Sequence, residues 1–325
     1  MGSAVVSDLT EDRVVLAGAN GALEDSANLI FGIVGATATV AGTQASPTVN
    51  SGDQLTINST TVTLTGTSTV TGSQTNPTVT ANDQLSINTV QVTLTGTAVV
   101  TGTTATPTVT ATDEFSINGT TITLTGTDLA SVISDITTAA ISGITAANNG
   151  SDQLQITGTN VNVVLADVTN TPLADLGLTA GTTTATGNLT SVISDITSAS
   201  IPNVTATNVA NQLVLTGANV SIVIANVTNT PLTDLGITAG TTSATGNLTS
   251  VISDITTASP TSIVASDNGS SQLQLVGTDV DITLADVTNT PLASLGLTAG
   301  TTTSCLLYTS PSPRDGLLSR MPSSA

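Results

Sequence analysis

The chain has 325 residues and a formal charge of −19, with no lysine, no histidine and only Arg13, Arg314 and Arg320 as cations. Such a chain cannot neutralise a phosphate backbone, an anionic membrane surface would repel it, and it holds no side chain for histidine-based metal or acid–base chemistry. Aromatic residues make up 1% (Phe31, Phe115, Tyr308), so any core is built from Val, Ile, Leu and Ala; aliphatic side chains bury less area each, and a single module is expected to be marginally stable.

Residues 1–42 form the first region. The opening MGSAVVSDLTEDRVV lacks the basic stretch and apolar core of a signal peptide. Two short strands are expected, Arg13–Leu16 and Asn28–Phe31, around Asn20-Gly21, a dipeptide suited to a tight hairpin turn. Ser7-Asp8-Leu9-Thr10, Arg13-Val14-Val15, Gly18, Asn20-Gly21, Leu23-Glu24-Asp25-Ser26 and Asn28-Leu29 together resemble a recurrent segment of tail-fibre-like structural proteins of tailed phages of marine cyanobacteria. Beyond that segment, Gly32 to Thr37 depart from the pattern. The resemblance implies a virion component, with homotrimers as the usual assembly.

Residues 43–114 hold short repeats marked by Pro47, Pro77 and Pro107, with a period of 30. Each predicts a short strand, a turn bearing Asp53, Asp83 or Asp113, a strand ending at Ile57, Ile87 or Ile117, and a return strand. In the return strands Val62/Leu64, Val92/Leu94 and Ile122/Leu124 alternate with threonine, giving one aliphatic and one hydroxyl face. Asn118-Gly119 suits a type I′ turn. A lone two-stranded hairpin is unstable in water, so these units are expected to stack on one another or on partner chains.

Three longer repeats follow, at 115–181, 182–240 and 241–303, with SVISDIT at Ser131, Ser191 and Ser250. Leu129, Val132, Ile133 and Ile136 fall on one face of a helix that Asp128 would cap, as Asn188 and Asn247 would in the later copies. A helix of that length needs a tertiary partner, and the hairpin is the expected one. Strands through Leu154–Ile156 and Val161–Leu165 come next, then a short helix between Pro172 and Gly177, repeated at Pro231/Gly236 and Pro291/Gly296. Each unit reads as a small α+β module, and the chain as mainly β with short helices, elongated by tandem repetition. The order INGTTITLTG, LASVISDIT, GITA, DQLQITG and LGLTAGT, around Ile117, Ile133, Ile144, Leu154 and Leu176, is similar to the flagellin hook IN motif of flagellins and hook-cap proteins. That likeness implies a surface-exposed assembly module.

The pattern breaks at Ser304. SCLLYTSPSPRDGLLSRMPSSA, residues 304–325, contains the sole cysteine, Cys305, and resembles a translated sequencing-adapter tail, which implies a non-native end.

No catalytic, cofactor-binding or metal-binding residue is expected, and no cofactor. Asp53, Asp83 and Asp113 recur at one turn position, but no DxDxDG loop surrounds them, and they read as turn-stabilising residues rather than a calcium ladder. Asp135, Asp195 and Asp254 lie off the helix stripe and are expected to face solvent. Asp279 and Asp281, read as alternating on one strand face with Asp286 nearby, leave weak cation binding as the alternative to plain surface acids. A glycosidase pair would lack aromatic sugar platforms, and a serine or threonine nucleophile would lack a base. The sequons at Asn118, Asn149 and Asn188 are those expected by chance in so Asn- and Thr-rich a chain. The reading is a structural, non-enzymatic phage-tail protein whose expected partners are itself, other virion proteins and a host cell surface; a bacterial cell-surface adhesin or filament protein is the alternative.

Overall fold

In the computed structural model, the described residues are 35–304, together with the backbone of 15–17 and 23–25. The protein is mainly β with short helices. Near the N-terminus Val15–Ala17 pairs antiparallel with Leu23–Asp25. The second strand thus begins earlier than expected, and Asn28–Phe31 lies outside the described residues.

The short hairpins do not stack on one another. Each pairs with a long module of the same chain, in nested order. Glu114–Ile117, of the third hairpin, pairs with Thr120–Thr123 on one side and Val163–Thr169 of the first module on the other. Gln84–Ile87, of the second hairpin, pairs with Ile222–Thr228 of the second module. Gln54–Ile57, of the first hairpin, pairs with Ile282–Thr288 of the third. A hairpin leaves one edge unpaired, and so does the module's own two-stranded piece; joining them satisfies both. The hairpin turn makes the same bond to the module in all three copies. Asn118, Asn88 and Asn58 accept through Oδ1 from the backbone N–H of Val164 (2.8 Å), Val223 (2.7 Å) and Thr283 (2.7 Å) respectively.

Three equivalent cells result, each with two antiparallel sheets. In the innermost, strands Thr120–Thr123, Glu114–Ile117, Val163–Thr169 and Gly181–Thr183 form one sheet. The second runs Ile144–Asn148, Leu154–Thr159, Thr97–Thr101, Thr186–Asn188, Thr78–Thr80. Both contribute to one core containing Phe115, Ile117, Leu154, Ile156, Val163 and Leu165. The middle cell repeats this around Leu85, Ile87, Leu213, Leu215, Ile222 and Ile224. These two cells belong to one compact unit, Thr48–Asp53 with Leu64–Ser250. The other unit, which draws on Gln54–Thr63 and the chain from Val251 onward, holds the third cell. Its sheets are Gly300–Thr302, Ile282–Thr288, Gln54–Ile57, Thr60–Thr63 and, separately, Ile263–Asp267, Leu273–Thr278, Thr37–Ala41.

Helix α1 (Leu129–Thr138) starts at Asp128, whose carboxylate accepts from Ser131 N–H, with the reciprocal bond completing a capping box. Short α2 (Pro172–Asp175) follows, and the pattern repeats as α3 (Leu189–Ser198), α4 (Pro231–Asp234), α5 (Leu248–Ala258) and α6 (Pro291–Ser294). Val132 and Ile136 are buried as the stripe predicts. The stripe packs chiefly on strand Ile144–Asn148, however, and only secondarily on the hairpin. Strands Thr37–Ala41, Thr67–Thr71 and Thr97–Thr101, which no periodicity singled out, form the second sheet of each cell.

Each module strand carries a bulge facing the hairpin: Glu114 pairs with Thr169 but Phe115 with Asp167. The extra residue, Val168, is turned outward and about half exposed, as are Val227 and Val287 at the equivalent places.

Candidate functional site

The recurrent acids are the natural place to look for chemistry, and the structure gives each a local hydrogen-bonding role. Asp53, Asp83 and Asp113 are buried, at 4–5% exposure. Their main chains close the turn: the Asp83 carbonyl accepts from Leu94 N–H at 2.8 Å and that of Asp113 from Leu124 N–H at 2.9 Å. The side chain of Asp113 accepts from Asn170 Nδ2, and that of Asp83 from Asn229 Nδ2, so each reaches into the module segment ahead of α2 or α4. They are joints between hairpin and module as well as turn residues. Burial, and secondarily the Asp83 carboxylate, pushes Asp234 above the usual carboxylate value. The backbone and then the hydroxyl of Ser131 hold Asp128 below it.

Asp135 and Asp195 do not simply face solvent. Asp195 accepts from Thr95 N–H (2.7 Å) and from Thr95 Oγ1 (2.9 Å), tying α3 to the end of the second hairpin. Asp135 does the same with Thr125, at 2.9 and 2.7 Å. Asp254, in the third copy, is likewise only partly exposed.

Asp279 and Asp281 lie in the turn before strand Ile282–Thr288 rather than on a strand face, Asp279 with φ of 58°. Asp281 accepts from Ser304 N–H at 2.7 Å, where the earlier copies use Asn162 for Ala185 and Ser221 for Ala244. Asp286 accepts from Leu292 N–H (2.9 Å) at the start of α6, as Asp167 does for Leu173 and Asn226 for Leu232 (3.0 Å each). The bulge at the next residue aims these side chains at the helix N-terminus. Asn118 and Asn188 also serve internal bonds, and Asn149 accepts from Ser151 N–H at 2.8 Å.

A concavity of about 470 Å³ opens at the tip of the innermost cell, lined by Thr106, Pro107, Asp128, Leu129, Ile133 and Asp152. Its two carboxylates are engaged, Asp128 as the α1 cap and Asp152 with Asn148 Nδ2 at 3.0 Å. Among the described residues no group of three His, Cys, Asp or Glu side chains converges as a metal site would require. The Asp–Asn joints and the Thr95–Asp195 joint escaped the sequence reading because their partners lie 57 to 146 residues apart, whereas Thr125 and Asp135 are only 10 apart. The available signal was internal: Asn170, Asn229 and Asn289 recur in register with the turn aspartates.

No protein-family model matches the sequence, and no curated protein does. Among solved structures the chain is similar to the crystal structure of the flagellar cap protein FliD from Helicobacter pylori. The identity is 12%, over 71% of this chain and 86% of that one, with a TM-score of 0.18. A likeness at that score carries no argument.

Proposed function

We propose that the chain is a structural, non-catalytic repeat protein of a phage virion, a tail fibre or tail-associated component serving as a spacer or surface appendage. The observation that carries the reading is the triplicate cell. Its turn, strand and helix positions recur in three copies, and the acids that could have done chemistry are bonded to backbone or side chains of the same cell. Repetition of one unit sets length, and the outer faces are rich in threonine. The phage-like N-terminal segment selects the virion. The partners are further copies of the chain and other virion proteins, with a host surface as a further one.

A bacterial cell-surface adhesin or filament protein is the second reading, favoured by the hook IN-like order of elements. Light scattering on the 325-residue chain, followed by limited proteolysis, separates the two. A protease-resistant trimer is expected of a fibre; a folded monomer would favour the cell-surface reading. Turnover of a polysaccharide or ester substrate would overturn both.

A further inference from the structure

Three Asn-Gly dipeptides lie among the described residues, at Asn118, Asn149 and Asn268. In Asn-Gly the glycine nitrogen readily attacks the asparagine side-chain amide, because no Cβ crowds that nitrogen. The last two sit at one place in the repeat, the turn that joins Ile144–Asn148 to Leu154–Thr159 and Ile263–Asp267 to Leu273–Thr278. Their glycines have positive φ, 82° and 84°, and face open space. The second long repeat turns through Ala210-Asn211 and has no Asn-Gly.

Around Asn268 the turn holds every group that loss of the amide would involve. Asn268 Oδ1 accepts from the backbone N–H of Ser270 at 2.8 Å and of Gln272 at 3.3 Å. Its Nδ2 donates to Gln272 Oε1 at 2.7 Å. The N–H of Gly269 donates to Asp267 Oδ1 at 2.8 Å. The first copy is built alike: Asn149 Oδ1 accepts from Ser151 and Gln153 N–H at 2.8 and 3.3 Å, and Nδ2 donates to Gln153 Oε1 at 2.8 Å. One group differs. There the glycine N–H donates to the carboxamide oxygen of Asn148, at 3.0 Å. A carboxylate can take up a proton near neutral pH and a carboxamide oxygen cannot. Asn118 is held otherwise, by the N–H of Val164 and the carbonyl of Asn162 in the module strand.

We propose that Asn268-Gly269 is a self-modification site, at which the folded turn promotes loss of the Asn268 side-chain amide with Asp267 as the base. The Gly269 nitrogen bonds to Asn268 Cγ while its proton passes to the Asp267 carboxylate. The carbonyl electron pair moves onto Oδ1, where the N–H groups of Ser270 and Gln272 stabilise the developing charge as an oxyanion hole does. The Cγ–Nδ2 bond then breaks; Nδ2 takes the proton from Asp267 and leaves as ammonia. Water opens the resulting succinimide at either carbonyl, giving aspartate or isoaspartate. Nucleophile and electrophile are neighbours in the chain, so no encounter limits the step. Each chain reacts once, without turnover, and the inference stands whether or not the protein belongs to a virion. The product lacks the Nδ2 bond to Gln272, whose own amide ties the turn to the Thr43 carbonyl at 3.0 Å, so conversion loosens the third cell at that turn.

The test incubates the full chain at neutral pH in heavy-oxygen water and follows peptic peptides by mass spectrometry, which reads loss of ammonia and uptake of one labelled oxygen. Conversion of Asn268 about a hundredfold faster than of Asn149 or Asn118 is expected, the low end for a positioned base. Asp267→Asn should slow Asn268 to the rate of Asn149. Asn148→Asp with Asp152→Ser, which reproduces the third turn in the first copy, should raise Asn149 to the rate of Asn268. Equal rates at the two sites in the parent chain, or an unchanged Asn268 rate in Asp267→Asn, would overturn the proposal. The same incubation in concentrated urea should bring the three sites to like rates. A difference that persists there would overturn it too, by assigning the rate to neighbouring sequence rather than to the folded turn.

Discussion

Ser51 stands where the second and third short repeats carry Ala81 and Ala111, and its hydroxyl is buried with no hydrogen-bond partner among the described residues. An unsatisfied buried hydroxyl costs about 1–3 kcal/mol, so Ser51→Ala is expected to raise the urea midpoint with an unchanged m-value. The turns offer a similar test. Asn118-Gly119 adopts the expected positive φ values of 52° and 80°, and the other two turns do so without glycine, at Asn58-Ser59 and Asn88-Thr89. Thr89 at φ 70° is a β-branched residue in the left-handed region, and Thr112 at 78° is another. Thr89→Gly is expected to stabilise by about 1 kcal/mol, read as a rise in melting temperature. Asp234 supplies a pH dependence. Its folded-state affinity for a proton is raised above the ordinary value of 3.8, so just above that value the folded chain binds more protons than the unfolded one. Stability from this group is therefore present at low pH and falls as pH rises through the window. Asp234→Asn should gain on the parent as pH rises through and above 3.8 in thermal melts, and a difference that stays constant with pH would sink the assignment.

Among the elements, the joints between helix and hairpin carry the strongest expectation. Removing the Asp195 carboxylate leaves the partly buried N–H and hydroxyl of Thr95 without their acceptor. Asp195→Ala should cost about 1–3 kcal/mol in denaturant unfolding. Asp135→Ala, whose bonds to Thr125 are exposed, should cost less, because water replaces the lost acceptor. Helices were legible in the sequence because both their signals are local: a stripe at Leu129, Val132, Ile133 and Ile136, and a capping carboxylate three residues from the N–H that donates to it. The roles of Asp135 and Asp195 were not. Sitting beside an apolar stripe looks the same in sequence whether the residue meets water or a threonine 100 positions away.

At the scale of the molecule, nesting makes the cells unequal in folding although they share one plan. The equivalent bond closes 64 residues in the innermost cell, from Gly96 to Asn160, and 153 in the middle one, from Gly66 to Asn219. Longer closures cost more entropy and fold later. The nesting also makes a sharp deletion test. Excising residues 67–96 together with 187–245 removes one matched pair and keeps the Gly–Thr and Thr–Gly junctions, so a cooperative, smaller fold is expected by circular dichroism and thermal melting. Excising 67–96 alone leaves the middle module with an unpaired edge, and a loss of cooperativity is expected. Equal stability of the two deletions would contradict the nested pairing.

The sequence by itself determined the class of the fold, the hairpins and the capped helices, because each depends on residues within a few positions of one another, and the repeat periods, because the copies are nearly alike. It also limited the chemistry: a chain without lysine or histidine has few ways to activate a hydroxyl. Which hairpin joins which module was decided only in the tertiary structure. The three hairpins resemble one another so closely that composition cannot sort them; the order comes from chain connectivity and from edge strands that must find a partner.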